Sequence, residues 1–412
     1  MVGHPSRLCG ASGANAQASG VSLKLKIVLV APRFAPDLGG VETHVRALAR
    51  GLASRGHRVT VLTQSSARIR AEHGVHELLD GFRVHRFQLP LATVPDVPSP
   101  AMLMALPAAL KDADVVHAHS YHALPAFSVA LARGRTPFVL TPHYHGTGHT
   151  PVRARLHAAY RPAGRVLVRR ADVLVAVSAA ERELLEAHFG PGVGIRTRII
   201  PNGVAETLSS RPFAVPGPVV LAVGRLEPYK RVDLLVRSLS LLSDDVQLVI
   251  VGDGPARADL ARLIDDLRLH HRVVLTGHVS DAELARWRAT ASAFATASAH
   301  EAFGIGLADS LSAGLRSVAS GIPAHREIAA QAESVALLRA PVPATPGRDP
   351  VADALVVDEL GTVLRRLLSG SSPRPSAGTL WSWSRVTEAT EAVYQGLGGG
   401  QTRRHPACAG RT

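Results

Sequence analysis

The sequence predicts an α/β protein of two domains, each a parallel sheet covered by helices, and three observations carry that expectation. Its 412 residues exceed one ordinary hydrophobic core, so two domains of about 150 to 200 residues are expected. Short apolar runs alternate with helix-spaced patterns from end to end, the mark of parallel strands joined by crossover helices. Turn residues crowd at 204–217, after Pro201-Asn202-Gly203, and place the linker between the two halves there.

Taken in order, the apolar runs predict strands at Leu25–Ala31, Arg58–Gln64, Phe82–Gln88, Val115–Ala118, Phe138–Thr141 and Val173–Val177 in the first half. The second half predicts Val219–Val223, Gln247–Val251, Arg272–Thr276 and Phe294–Ala297. Both halves read as Rossmann-like. After the first strand, Val41, Val45, Leu48 and Leu52 fall on one face of a helix that ends near Arg55, and Gly39 and Gly40 sit just before it. A second Pro, Gly and Ser cluster at 369–378 precedes Trp381-Ser382-Trp383-Ser384-Arg385-Val386 and a last helix to about Leu397. The expected layout is a disordered extension over 1–22, a first domain over 23–205, a second over 206–377, a final helix over 378–397 and a disordered tail over 398–412. The first 22 residues lack the apolar stretch of a signal peptide, and Cys9 and Cys408 lie in the two tails, where no structural disulfide is expected. The cytosol is the expected compartment.

Composition narrows the partners. Hydrophobic residues make up 46% and charged residues 19%, and no apolar run approaches the ~20 residues that cross a bilayer. The net charge of +13 invites nucleic acid, an anionic membrane face or an anionic substrate. Only four of the 46 basic residues are lysines, an arginine bias typical of high-GC bacterial genomes, so part of the basicity reflects composition. Aromatics are 4% and no recognition motif accompanies the charge, which argues against nucleic acid. Peripheral contact with an anionic inner membrane face stays open.

Two segments carry the chemistry. Gly-Arg-Leu-Glu-Pro-Tyr-Lys at 224–230 puts Arg225 and Lys230 in the loop after an apolar strand, where a guanidinium fork and an ammonium point charge can hold a diphosphate. Ser-Ala-His-Glu-Ala-Phe-Gly-Ile at 298–305 places Glu301 beside a glycine turn, suited to sugar hydroxyls, with the amides of Phe303, Gly304 and Ile305 ahead of a helix and Asp309 following. Gly39 and Gly40 allow close backbone approach at a helix N-terminus, or form only a tight turn. Asp112-Ala-Asp114 spells a metal-binding Asp-x-Asp, but it directly precedes a strand and reads as a solvated entry turn. His117 and His119 alternate at strand period, and with His122 they lack a carboxylate or cysteine to complete a metal site.

Together the two segments, with Gly39-Gly40-Val41-Glu42, resemble the retaining glycosyltransferases of the two-Rossmann-domain (GT-B) type, specifically family 4, over about residues 24–393. The resemblance implies two Rossmann-like domains facing across a cleft, with the last helix crossing back to the first domain. It implies a metal-independent hexosyltransferase with no cofactor, a sugar nucleotide as donor (GDP-mannose or a UDP-hexose), and a lipid, glycan or small-molecule acceptor. By the same resemblance His143, Arg225, Lys230 and Glu301 are catalytic, and the donor lies against Gly39, Gly40, Arg225, Lys230, Gly254, Glu301, Phe303, Gly304, Ile305 and Asp309. His119, Tyr144 and His145 are acceptor-side candidates. The chain departs from the family pattern at Asp309, where a glutamate is usual, and at Arg316-Ser317, where Pro-Val is usual. Those departures keep a noncatalytic sugar-nucleotide-binding relative open, beside a nucleotide-sugar epimerase of the same fold.

Overall fold

The computed structural model describes residues 24–37, 39–89, 97–146, 151–204, 210–332, 334–370 and 381–398. Nearly all of the expected terminal extensions, both cysteines, and most of the 369–378 cluster lie outside the described residues, as do linker residues 205–209.

The first unit runs β1 (Lys26–Val30), α1 (Gly40–Ser54), β2 (Arg58–Ser65), α2 (Ala67–His73), β3 (His76–Leu79), β4 (Phe82–Gln88), α3 (Pro100–Lys111) and β5 (Val115–His119). It continues with α4 (Leu124–Ala132), β6 (Phe138–Thr141), α5 (Pro151–Arg170), β7 (Val173–Ala176), α6 (Ala179–Phe189), α7 (Gly192–Ile195) and β8 (Thr197–Ile199). The second unit runs β9 (Val219–Val223), α8 (Val232–Ser238), β10 (Gln247–Val251), α9 (Arg257–Asp266), β11 (Val273–Gly277) and α10 (Asp281–Thr290). After these come β12 (Ala293–Thr296), α11 (Ile305–Ser312), β13 (Ser317–Ser320), α12 (Pro323–Ala329), β14 (Val335–Leu338), α13 (Pro350–Ser369) and α14 (Trp383–Gly398).

The sheet orders are β3-β4-β2-β1-β5-β6-β7-β8 and β11-β10-β9-β12-β13-β14, every neighbour parallel except the β3–β4 hairpin. Helices cover both faces of each sheet, so strands such as β1 (Ile27–Val30), β6 and β9 are buried apolar runs rather than alternating ones. In each sheet the strand order reverses beside the first strand: β1 lies between β2 and β5, and β9 between β10 and β12. A crevice opens at the carboxyl ends of the strands at such a reversal. The Gly39-Gly40 loop follows β1, and the Arg225–Lys230 loop follows β9, so both segments fall at these switch points.

Four strands were not among those expected. β3 pairs with β4 through an Asp80-Gly81 turn in which both residues have positive φ (47° and 85°), the two-residue hairpin signature that the sequence carries. β8 and β14 are short edge strands. β13 reads Ser-Val-Ala-Ser, with one large apolar residue, yet all four residues are buried and the Ser320 hydroxyl is satisfied by the Ser298 carbonyl at 2.5 Å.

The last helix does cross back. α14 packs on α1, where Gly51 lets it approach closely: a Cβ there would lie 2.2 Å from Thr387 Oγ1. Its buried face, Val386, Thr387, Thr390, Glu391 and Tyr394, recurs at helical spacing. Glu391 pairs with Arg55, and the Tyr394 hydroxyl lies 2.6 Å from His117 Nδ1. No described helix is long and apolar enough to cross a membrane.

Candidate active site

The loop after β9 is held from below by glycines. Gly224 has φ 151°, the Leu226 amide donates to the Asp253 carbonyl at 2.9 Å, and Pro228–Lys230 close a 3₁₀ turn. Gly254, φ 159°, packs directly beneath, and a Cβ there would meet the Leu226 carbonyl at 2.5 Å. The backbone therefore fixes where the two cations emerge. Arg225 remains 45% exposed, its Nε 3.2 Å from Glu227, so its fork is open to a ligand. Lys230 points inward, its Nζ 2.5 Å from Glu301 Oε1.

That pair sets the electrostatics. Burial works against the Lys230 ammonium, but Glu301 and Tyr229 outweigh it and hold its pKa well above the ordinary lysine value. Burial likewise pushes Glu301 up, but Lys230, with His325 behind it, brings it below the ordinary carboxylate value. Both are ionised at neutral pH. They line one pocket with Arg225, Thr296, Gly304 and His325, walled by Val223, Ile250 and Phe294.

Residues 301–304 are non-helical, and α11 begins at Ile305 with Gly304 in the left-handed region (φ 104°) as its N-cap. A side chain at Gly304 would press on the His325 ring at 3.0 Å. Across the cleft lies Gly40, where a Cβ would sit 3.3 Å from Ile305 Cδ1, so the two helix starts face one another. Burial raises the carboxyls of Asp37 and Glu42 beside Gly40, and Arg33 and Arg225 pull against it, so Arg225 reaches this loop electrostatically.

His143 follows β6 with φ 49°, a left-handed conformation rare for a side-chain-bearing residue and common where a site re-aims its backbone. Its Nε2 lies 3.5 Å from His119 Nδ1, and the His44 ring is 5.2 Å away. His117 joins this group, hydrogen-bonded to Tyr394 and Thr141 at 2.6 and 2.7 Å. Burial keeps all four histidines neutral: His44 falls to about 4, and His117, His119 and His143 fall well below the usual value.

The acceptor-side candidates separate. His119 and Tyr144 are fully buried, and the Tyr144 hydroxyl meets His188 Nδ1 at 2.6 Å, so neither presents a surface to an acceptor. His145 is partly exposed and approaches His300 of the second domain, ring centroids 5.3 Å apart. Asp112 and Asp114 are exposed, and Asp114 accepts from the Lys26 amide at 2.7 Å, capping the start of β1. Among the described residues no group of three His, Cys, Asp or Glu is arranged to hold a metal ion.

Asp309 lies on α11, its Oδ2 2.9 Å from Arg288 Nη2 on α10, and both side chains are 12% exposed. Sequence reasoning missed Arg288 and His325. Arg288 gives no local signal, because α10 meets α11 only in the folded chain. His325 follows β13, the strand whose serines hid it, and the loop after a parallel strand is where ligand-binding residues collect.

The description "Glycosyltransferase Family 4" matches residues 38–208 and "Glycosyl transferases group 1" matches residues 206–343. The chain is 28% identical to a D-inositol 3-phosphate glycosyltransferase of Xylanimonas cellulosilytica, over 90% of this chain and 94% of that protein. It is 30% identical to a GDP-mannose-dependent alpha-mannosyltransferase of Mycolicibacterium smegmatis, over 76% and 84%. Among solved structures, sucrose-phosphate synthase from Thermosynechococcus elongatus superposes with a TM-score of 0.73 at 19% identity, covering 91% of this chain and all of that one. Anabaena Alr3699/HepE, solved in complex with UDP-glucose, superposes at 0.60 with 18% identity, covering 92% and 100%.

Proposed function

The chain belongs to glycosyltransferase family 4 and is a GT-B glycosyltransferase with a sugar-nucleotide donor; from that premise we propose that it transfers a hexosyl group with retention of configuration and without a metal ion. GDP-mannose or a UDP-hexose is the proposed donor, and the acceptor is a hydroxyl of a lipid, glycan or small molecule. The observation that carries this reading is the Lys230–Glu301 pair beside the open Arg225 fork at the β9 switch point.

In this reading the diphosphate lies between Arg225, Lys230 and the facing helix starts at Gly40 and Ile305. The bond from the anomeric carbon to the diphosphate oxygen breaks as the acceptor oxygen bonds on the same face. The acceptor proton passes to the departing phosphate oxygen, so no protein nucleophile is required. Two fixed cations meet the charge that develops on the leaving group, the role a metal has elsewhere. Glu301, ionised by its lysine, accepts from sugar hydroxyls, and neutral His143 can donate or accept on the other side. Domain closure excludes water and limits donor hydrolysis.

Calorimetry with UDP-, GDP- and ADP-sugars, with released nucleoside diphosphate followed in parallel, tests the reading. One donor should bind and be slowly hydrolysed in an Arg225-dependent manner; binding without turnover would leave a noncatalytic sugar-nucleotide-binding relative, and no binding to any would remove the donor assignment. Turnover should survive EDTA, and a metal requirement would overturn the two-cation assignment.

Asp309 is assigned to the ribose hydroxyls. Because Arg288 already holds one of its oxygens, the site is set for the shorter aspartate. Asp309→Glu is expected to raise the donor KM about tenfold, roughly 1.4 kcal/mol, with kcat little changed. Tighter donor binding in that variant would show the short arm to be a defect.

A further inference from the structure

The first turn of α6 is where three separate parts of the site are tied together. Ser178 is its N-cap, accepting from the Glu181 amide at 3.0 Å, and the same hydroxyl donates to the Ala302 carbonyl of the second domain at 2.7 Å. Ala302 is the neighbour of Glu301. Glu327, on α12 of the second domain, accepts from the Ala179 amide at 3.0 and 2.8 Å and from the Ala180 amide at 3.4 Å. Glu181 turns the other way, and its carboxyl oxygens accept from the Tyr144 amide at 2.5 Å and the Val177 amide at 2.6 Å. Tyr144 is the neighbour of His143.

The free amides of a helix start are normally met by its own cap, by water or by a ligand. Here two of the first three are met by a carboxylate of the other domain, and Glu327 is in no ion pair among the described residues. The helix end and the anion are therefore each other's principal electrostatic partner. The contact exists only when the domains are together, and α12 carries it straight to the donor loop, because His325, two residues before Glu327, abuts Gly304.

We propose that Ser178, Glu181 and Glu327 are positioning residues: the α6 start sets the His143 loop of the first domain in register with the Glu301 loop of the second when the domains are together. The proposal rests on the transferase reading for its kinetic consequence, not for its structural one. Glu327→Ala breaks the contact without touching either loop. Misplacing a reacting group by about 1 Å costs on the order of 100-fold in rate, and a loss of that size is expected in transfer.

The test is a comparison of transfer kinetics, nucleoside diphosphate binding by calorimetry and small-angle scattering. Glu327→Ala should lower kcat for transfer by about 100-fold, raise the ratio of donor hydrolysis to transfer, and leave diphosphate affinity within about threefold. Its radius of gyration with the diphosphate bound should exceed that of the parent chain. Ser178→Asp keeps a good helix cap but cannot donate to the Ala302 carbonyl, so it should share the defect, while Ser178→Thr keeps the hydroxyl and should restore transfer. Transfer unchanged in Glu327→Ala, or lost in step with diphosphate affinity and folding, would overturn the proposal. Should the parent chain transfer nothing, the transferase reading fails separately, and an unchanged radius of gyration in Glu327→Ala would then sink the latch by itself.

Discussion

Lys230→Ala is expected to lower kcat/KM for transfer by about 10³-fold, and to lower stability as well. The first effect follows from losing the charge aimed at the leaving diphosphate, where a single preorganised donor contributes on the order of 10²–10³ in rate. The second follows from Glu301. With its Nζ partner at 2.5 Å removed, that carboxylate, 15% exposed, stays enclosed without a counter-charge. Breaking a buried pair from one side costs about 3 kcal/mol. Arg225→Ala separates the two effects, since Arg225 is 45% exposed and partnered by Glu227 at the surface. It should lose a comparable share of activity with less than about 1 kcal/mol of stability. A second control is Lys230→Met with Glu301→Gln, which removes both charges and should recover thermal stability but not activity. Steady-state rates and thermal melts of the four proteins decide it, and retained transfer in either single alanine variant would remove the diphosphate assignment.

What the sequence made legible was whatever is local. β9 and the Gly-Arg-Leu-Glu-Pro-Tyr-Lys loop are contiguous, so an apolar run followed by two cations announces both a strand and its ligand-facing end. The Glu301 segment is legible for the same reason. Residues that depend on packing were not. Ser178 and Glu327 are 149 positions apart and ordinary in isolation, a capping serine and a surface-type glutamate; only the docking of α6 on α12 makes them a unit. Tyr144 erred in the other direction. Standing between two histidines after a strand it looks like an acceptor contact, but the chain turns at His143, and the ring is enclosed by Tyr121, Phe189 and His188. β13 was hidden because a strand buried on both faces needs small residues where neighbours press close, and serines there can satisfy their hydroxyls within the loop network.

The four neutral histidines of the first domain predict a sharp loss of stability in mild acid. His44, His117 and His119 are buried around β5, His143 is half-buried in the loop after β6, and burial is the largest cause of each depressed pKa. In the unfolded chain each takes a proton near pH 6.5. In the folded chain His44 does so only near 4, and the other three also far below their usual value. Below pH 6.5 the unfolded state therefore binds more protons, and stability falls as pH falls. Each group contributes about 1.4 kcal/mol per pH unit. One neighbour acts oppositely. Burial pushes Glu181 up to about 8, against the two backbone amides that favour its ionised form, so it adds stability as pH falls from 8 toward 4.5. The four histidines outnumber it, so the net effect around this cluster is a loss of stability as pH falls below 6.5. Against a typical total of roughly 5–15 kcal/mol, stability should decline progressively as pH falls below 6.5. Denaturant melts at pH 7.5, 6.5 and 5.5 measure the slope directly. His117→Gln should make it shallower by about one proton, because an amide can replace the bonds to Tyr394 and Thr141 without titrating. A profile flat to pH 5 would mean that the cluster is open to solvent and protonates in place, and neutral His143 could then no longer be assumed at the sugar.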